Sequence, residues 1–226
     1  MNSDRPTTTP AKPDDNLARL RRDYTLAALD ESHVTADPLK QFSVWMEQAI
    51  AAGVLEPTAM ALATVDPIGR PSVRTVLLKG VDSRGFTFFT NYESRKGREM
   101  ASNTRVAVSF HWAELERQVC AHGYVSKVSA QESEAYFRSR PHGSRLAAWV
   151  SQQSSVIASR AVLEQRLEEV KARFPGDDIP LPPHWGGYVI HLETIEFWQG
   201  RSSRLHDRLQ FVRRADEGWD LRRLSP

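Results

Sequence analysis

Apolar positions change their period twice along this chain. Leu17, Leu20, Tyr24 and Ala27 recur at helical spacing, which predicts a first helix over residues 17–29. Asp37-Pro38 then reads as a helix start, a capping carboxylate followed by proline at the first helical position. Leu39, Phe42, Trp45, Met46, Ala49 and Ile50 form one apolar stripe that ends near Gly53. From Ala59 the pattern becomes strand-like. Strands are predicted over 59–65, 72–78, 86–90, 106–112 and 118–127, with a turn at Asp66-Pro67-Ile68-Gly69. Ser94 caps a short helix over 95–102. Helical spacing returns over 129–140, where Ser129 and Glu132 form a capping box, and Pro141 stops that helix. A second long helix covers 159–174, with Leu163, Leu167 and Val170 on one side. A proline-rich connector over 175–183 leads to strands at 188–192, 195–199, 209–213 and 219–224.

Helices, a block of about five strands, helices again, then about four strands is the order of an α+β protein, not of alternating βαβ units. So many short antiparallel strands predict a barrel-like closed sheet. Residues 1–15 are polar and hold Pro6, Pro10 and Pro13, so they are expected to form a disordered tail. Residues 16–226 are expected to form one domain.

Composition narrows the function. With 226 residues, 40% apolar and 26% charged, the chain has the profile of a soluble globular protein. Its apolar runs are too short to span a bilayer, and no charged-then-apolar segment opens it, so a cytoplasmic protein with no membrane partner is expected. The single cysteine, Cys120, excludes an internal disulfide and a cysteine-built metal site, and the seven histidines show no His-Glu-x-x-His pattern. No metal is expected. A net charge of +2 makes no case for nucleic acid. There is no Gly-x-Gly-x-x-Gly after a strand and no Walker loop. A bound phosphate must therefore be held by side chains.

The positive charge is clustered in four places. Residues 201–208 hold Arg201, Arg204, Arg208, His206 and Asp207, read either as an anion-binding loop with a titratable imidazole or as a solvated basic turn. If 206–207 is strand, His206 and Asp207 point to opposite faces. Arg74 and Lys79 flank Thr75-Val76-Leu77-Leu78. Their odd separation places them on opposite faces of a strand, which favours two exposed charges. Arg95 and Lys96 sit in the first turn of a helix, where cations oppose the dipole and an anion would be welcome. Tyr136 and Arg140 share a helix face, with Ser144 just beyond Pro141, a set suited to a second phosphate. Trp149 and Trp185 are expected in the core, and Cys120 as a small buried side chain. Gln118, Gln153 and Ser154 either read a heteroaromatic ring or satisfy backbone groups. Two phosphate sites, abundant aromatics and few proton-transfer groups fit a protein whose bound cofactor carries the chemistry.

These groupings, taken in order with Phe89-Thr90, Ala148-Trp149, Trp185-Gly186-Gly187 and Glu196-Phe197-Trp198-Gln199-Gly200, resemble the pyridoxine/pyridoxamine 5′-phosphate oxidase family from about Leu17 to Pro226. The resemblance implies a split antiparallel β-barrel with flanking helices, a homodimer, and FMN at the subunit interface. It implies oxidation of the phosphorylated B6 vitamers, pyridoxine or pyridoxamine 5′-phosphate, to pyridoxal 5′-phosphate, with O₂ reduced to H₂O₂. By matched positions Arg74, Thr75, Val76, Leu77, Leu78, Lys79, Phe89, Thr90, Arg95, Lys96, Gln118, Gln153, Ser154, Trp198 and Arg208 would hold FMN. Lys79, Tyr136, Arg140 and Ser144 would hold the substrate phosphate. Arg204, Leu205 and His206 would lie over the substrate ring, with Arg204 and His206 as the catalytic pair. Arg21, Arg22, Asp23 and Tyr24 would close over the site. Arg145 stands where glutamine is expected, either tightening the substrate phosphate or pointing to solvent. The alternatives are a split-barrel flavoprotein with another substrate and a non-enzymatic carrier of flavin or pyridoxal phosphate.

Overall fold

Helix α1 (Pro38–Ala51) forms as its sequence predicts. Asp37 Oδ1 accepts from the N–H groups of Leu39 (2.9 Å) and Lys40 (3.4 Å), and Pro38 occupies the first turn. Its stripe feeds the main core. Phe42 packs at a tilt against Phe86 and Phe110, with ring centroids 4.5 and 4.9 Å away, and Trp45 meets Phe197 edge-on at 5.1 Å. The structure, a computed structural model, describes residue 20 and residues 23–226. The expected tail over 1–15, and Arg21 and Arg22, lie outside the described residues.

The strands are β1 (Ala59–Val65), β2 (Pro71–Leu77), β3 (Gly80–Asp82), β4 (Gly85–Asn91), β5 (Arg105–Trp112), β6 (Arg117–Lys127), β7 (Trp185–Gln199), β8 (Asp207–Arg213) and β9 (Trp219–Arg223). They form one antiparallel sheet in the order β2-β1-β5-β6-β7-β4-β3, with β8 and β9 branching from β7. The first half of β7 pairs with β4 and its second half with β8, while β6 runs along its other side. The sheet therefore splits at β7, which is the split barrel expected of an α+β chain. The helices after β4 and β6 are α2 (Arg95–Ser102), α3 (Ala130–Ser139), α4 (His142–Val150) and α5 (Arg160–Arg173). Phe137, Leu146, Ala148, Ile179 and Trp185 make a second, smaller core beneath α3 and α4.

Four differences from the sequence reading have physical causes. The described part of 17–29, from Asp23 onward, is not helical. Its N–H groups go to carboxylates instead: Thr25 and Leu26 donate to Glu116 Oε2 (2.9 and 3.1 Å), and Leu29 donates to Asp207 Oδ2 (3.1 Å). The strands expected at 188–192 and 195–199 are one strand, because the polar pair Glu193-Thr194 marks a bulge opposite His122 and Gly123. Pro141 ends α3 but also precedes α4, a helix missing from the sequence reading. β3 is three residues long and was also missed.

Candidate functional site

The site is built around the start of α2. Ser94 Oγ caps it by accepting from the Gly97 N–H (3.2 Å). Gly97 lets this turn press against the end of β4, since a Cβ there would run into the backbone carbonyl oxygens of Tyr92 and Asn91. The close approach carries Lys96 indoors, 8% exposed. Its ammonium donates to Gln153 Oε1 (2.8 Å), Thr90 Oγ1 (3.0 Å) and Ser94 Oγ (3.3 Å), all neutral acceptors. Burial, reinforced by the charge of Arg74, pushes Lys96 down to about 8. Arg95 stays at the mouth of the cleft, and its backbone N–H donates to Ser154 Oγ (3.1 Å).

Arg74 reaches the same cleft from β2. Its Nη1 donates to Leu62 O (3.0 Å) and Thr64 Oγ1 (2.5 Å); its Nη2 donates to Ser72 Oγ (2.5 Å) and Glu99 Oε2 (3.2 Å). Lys79 lines the cleft as well, contrary to the opposite-face expectation. The strand ends at Leu77, so alternation does not extend to Lys79, whose N–H pairs with Thr87 O on β4 (2.8 Å). Thr75, Val76 and Leu77 also line it, whereas Leu78 points into the core at 5% exposed.

The opposite wall is aromatic. Phe89 stacks on Tyr136 at 3.9 Å and on Trp185 at 5.7 Å, and the Arg140 guanidinium lies 4.6 Å over the Trp185 ring. Trp185 is thus a wall of the cleft as well as a core residue. Burial pushes Arg140 down and Tyr136 up from their ordinary values. Arg140 Nη1 is buried and has no hydrogen-bond partner among the described residues, a donor waiting for an acceptor. With Ser144 on α4, these groups enclose a cleft of about 810 Å³ with no carboxylate among its described lining residues. Arg145, next in sequence, turns away and donates to Asp177 O (2.7 Å).

A second cleft, about 660 Å³, is lined by Asp23, Tyr24, Trp198, Arg201, Arg204 and His206 among others. His206 precedes β8, and Asp207 is its first residue. His206 Nδ1 accepts from the Arg201 N–H (3.1 Å), which makes the neutral ring an Nε2–H donor. The Tyr24 ring meets Trp198 and His206 edge-on, each at 5.7 Å, and packs on Gly200, where a Cβ would strike it. Ser203 and Arg204 both have left-handed backbone, with φ of 56° and 61°, and hold Arg204 out on the loop beside exposed Leu205. Among the described residues the two clefts share no lining residue. Gln118 and Arg208 line neither. Gln118 donates to Ser109 Oγ (3.0 Å) and Cys120 Sγ (3.0 Å), and Arg208 makes a fork with Glu196 (2.7 and 3.0 Å).

Sequence reading missed Glu99, Thr64, Ser72 and Glu116. Glu99 lies four residues after Arg95 on one helix face, a spacing that marks the pair. Thr64 and Ser72 face each other in the register of the β1–β2 hairpin, which only the fold reveals.

A family model described as "Pyridoxamine 5'-phosphate oxidase" matches residues 46–174, and one described as "Pyridoxine 5'-phosphate oxidase C-terminal dimerisation region" matches 185–226. The chain is 57% identical over 213 residues to a pyridoxine/pyridoxamine 5′-phosphate oxidase of Trichormus variabilis, covering 94% of this chain and 100% of that one. It is 58% identical over 211 residues to a pyridoxine/pyridoxamine 5′-phosphate oxidase 1 of Ralstonia nicotianae, covering 93% of this chain and 99% of that one. Among solved structures it is similar to PhzG of Burkholderia lata in complex with tetrahydrophenazine-1-carboxylic acid. That match has a TM-score of 0.83 at 29% identity over 89% of this chain and 99% of that one. A pyridoxamine 5′-phosphate oxidase-related, FMN-binding protein of Nostoc punctiforme shares the fold at a TM-score of 0.67 and 17% identity, covering 82% of this chain and 97% of that one.

Proposed function

The chain belongs to the pyridoxine/pyridoxamine 5′-phosphate oxidase family, and from that premise we propose how its residues do the work. It oxidises pyridoxine 5′-phosphate or pyridoxamine 5′-phosphate to pyridoxal 5′-phosphate, with FMN as cofactor, in a homodimer. One observation carries this reading: a single cleft is lined both by Arg74, Arg95 and Lys96 and by Lys79, Tyr136, Arg140 and Ser144. Those are two separate sets of phosphate-binding side chains, one for a flavin mononucleotide and one for a phosphorylated substrate. Among the described residues a buried ammonium with only neutral acceptors, and a buried guanidinium N–H with none, fit incoming phosphate oxygens.

The chemistry FMN supplies when bound is acceptance of a hydride from the substrate C4′ and transfer of the electrons to O₂, which gives H₂O₂. The protein's own share is grip and alignment. Lys96 and Arg95 hold the cofactor phosphate, with Thr90, Gln153 and Ser154 as neutral partners. Phe89, Tyr136 and Trp185 close one side of the cleft against water. Arg140, Lys79, Tyr136 and Ser144 pin the substrate phosphate. Trp198, Arg204, His206, Arg208 and Gln118 come from the partner chain. They lie outside the main cleft of their own chain, and four of the five fall within the matched dimerisation region. His206, held as an Nε2–H donor, would hydrogen-bond the C4′ oxygen or nitrogen and orient it, the C4′ substituent releasing its proton to solvent as the hydride departs; Arg204 would fix the ring beside it. Tyr24 closes over His206, in keeping with the carboxylate anchors of Thr25, Leu26 and Leu29.

The test is aerobic turnover of FMN-loaded protein with each phosphorylated vitamer. Equal yields of pyridoxal 5′-phosphate and H₂O₂ are expected. Yellow protein that makes neither would leave a flavin carrier instead.

A further inference from the structure

Glu99 faces the cation-lined cleft from behind and is not one of its lining residues. It is 4% exposed, yet charged, and four donors converge on it. Ser72 Oγ (2.6 Å) and Thr64 Oγ1 donate to its Oε2, as does Arg74 Nη2 (3.2 Å), and Arg95 Nε donates to its Oε1 (2.8 Å). Burial alone would push this carboxyl up, but the hydrogen bonds of Ser72, Thr64, Arg95 and Arg74 outweigh it and bring it down to about 2.

Helix stability does not explain the arrangement. Arg95 is a cation in the first turn, where the dipole disfavours it, and an arginine four residues before a glutamate is the weaker orientation of such a pair. The geometry at the cleft does explain it. Glu99 takes only the Nε of Arg95, so the Nη edge of that guanidinium stays available to the cleft. Among the described residues no hydrogen bond engages it. The same carboxylate receives Ser72 and Thr64, whose oxygens in turn accept from both Nη atoms of Arg74. Two arginines on different elements, one on β2 and one on α2, are thereby set by one buried anion.

We propose that Glu99 is the positioning residue of the cofactor-phosphate subsite, aligning Arg74 and Arg95 through direct and hydroxyl-relayed hydrogen bonds without touching the ligand. The inference rests on the FMN reading above. It implies that the negative charge of Glu99, although it opposes a phosphate dianion at long range, tightens phosphate binding by holding the two guanidinium groups in place.

The experiment compares FMN with riboflavin, which lacks the phosphate. Each is titrated into apoprotein by quenching of flavin fluorescence, for the native chain, Glu99→Ala and Glu99→Gln. The dissociation constant of riboflavin divided by that of FMN reads the phosphate subsite alone. Glu99→Ala is expected to shrink that ratio about tenfold or more, as for loss of a charge-assisted contact, while riboflavin affinity stays within about threefold. Glu99→Gln keeps an acceptor for Arg95 and should give an intermediate ratio; it also serves if Glu99→Ala does not fold. An unchanged ratio, an equal loss for both flavins, or an increased ratio overturns the inference while the FMN reading stands. A native chain that binds riboflavin as well as FMN overturns both.

Discussion

Lys96 is the residue whose behaviour should depend most on pH. Its ordinary value of 10.5 falls to about 8 in the folded apoprotein, because burial and Arg74 disfavour the charge. The sign follows directly. Above 10.5 both folded and unfolded chains hold a neutral amine and the residue costs nothing. As pH falls through that value toward 8 only the unfolded chain takes up the proton, so apoprotein stability declines, levelling off below 8. A phosphate bound beside the ammonium reverses the preference. FMN affinity is therefore expected to weaken above pH 8, approaching about tenfold per unit, with proton uptake on binding. The flavin phosphate, with its second pKa at about 6, is already a dianion there and does not contribute. Calorimetric titrations in buffers of different ionisation heat check this, and Lys96→Met should remove the slope. The two arginines flanking His206 should separate by role. Arg204→Ala, on the loop at φ 61°, should lower kcat and kcat/KM by about 2–4 kcal/mol at saturating FMN. Arg208→Ala should instead raise the FMN dissociation constant and leave Glu196 without its fork. Steady-state kinetics beside FMN titration separates them, and flavin loss with normal turnover in Arg204→Ala would contradict the assignment.

Among the elements, α2 matters most, because its position depends on one missing side chain. Gly97→Ala forces a methyl against the Tyr92 and Asn91 carbonyl oxygens. The helix start must then move off β4, at a cost of about 1–3 kcal/mol, and Lys96 and Arg95 move with it. Urea denaturation should show the lost stability and FMN titration a weaker site together. Lost stability with native FMN affinity would mean that the helix start does not set the site. The element pattern itself was largely legible. α1 was marked by Asp37-Pro38 and its stripe, and the two strand blocks by their period. What escaped had a local cause. Pro141 reads as a stop even when a helix follows it, and Glu193-Thr194 reads as a break although the ladder continues across the bulge. The segment after Asp23 had helical spacing, but its backbone donors are claimed by Glu116 and Asp207, 91 and 178 positions away from Thr25 and Leu29 respectively. Such partners cannot be read from a local window. The same limit applies to the site. Tyr136, Arg140, Ser144, Arg95 and Lys96 stood out in sequence, whereas Lys79 joined them only because the strand ended two residues earlier.

At the scale of the molecule the open sheet face completes the account. Ala61, Ala63, Val73, Ala107 and Cys120 line an apolar groove there, with Val73 68% exposed. Thr194, Glu196 and Gln210, which fall within the matched dimerisation region, line the same groove, so this face is where a second copy is expected to pack. Ala107→Arg, which puts a large cation on the groove, is expected to give a monomer in sedimentation with sharply reduced flavin affinity. A monomer that binds flavin at native strength would place the whole flavin site within one chain. If this one cleft holds a flavin and a phosphorylated vitamer so that C4′ gives up a hydride, anaerobic addition of pyridoxine 5′-phosphate to the FMN-loaded protein must reduce the flavin. The flavin absorbance should bleach, with one pyridoxal 5′-phosphate formed per flavin, and return on admitting O₂. Flavin that stays oxidised while the vitamer binds would contradict the account.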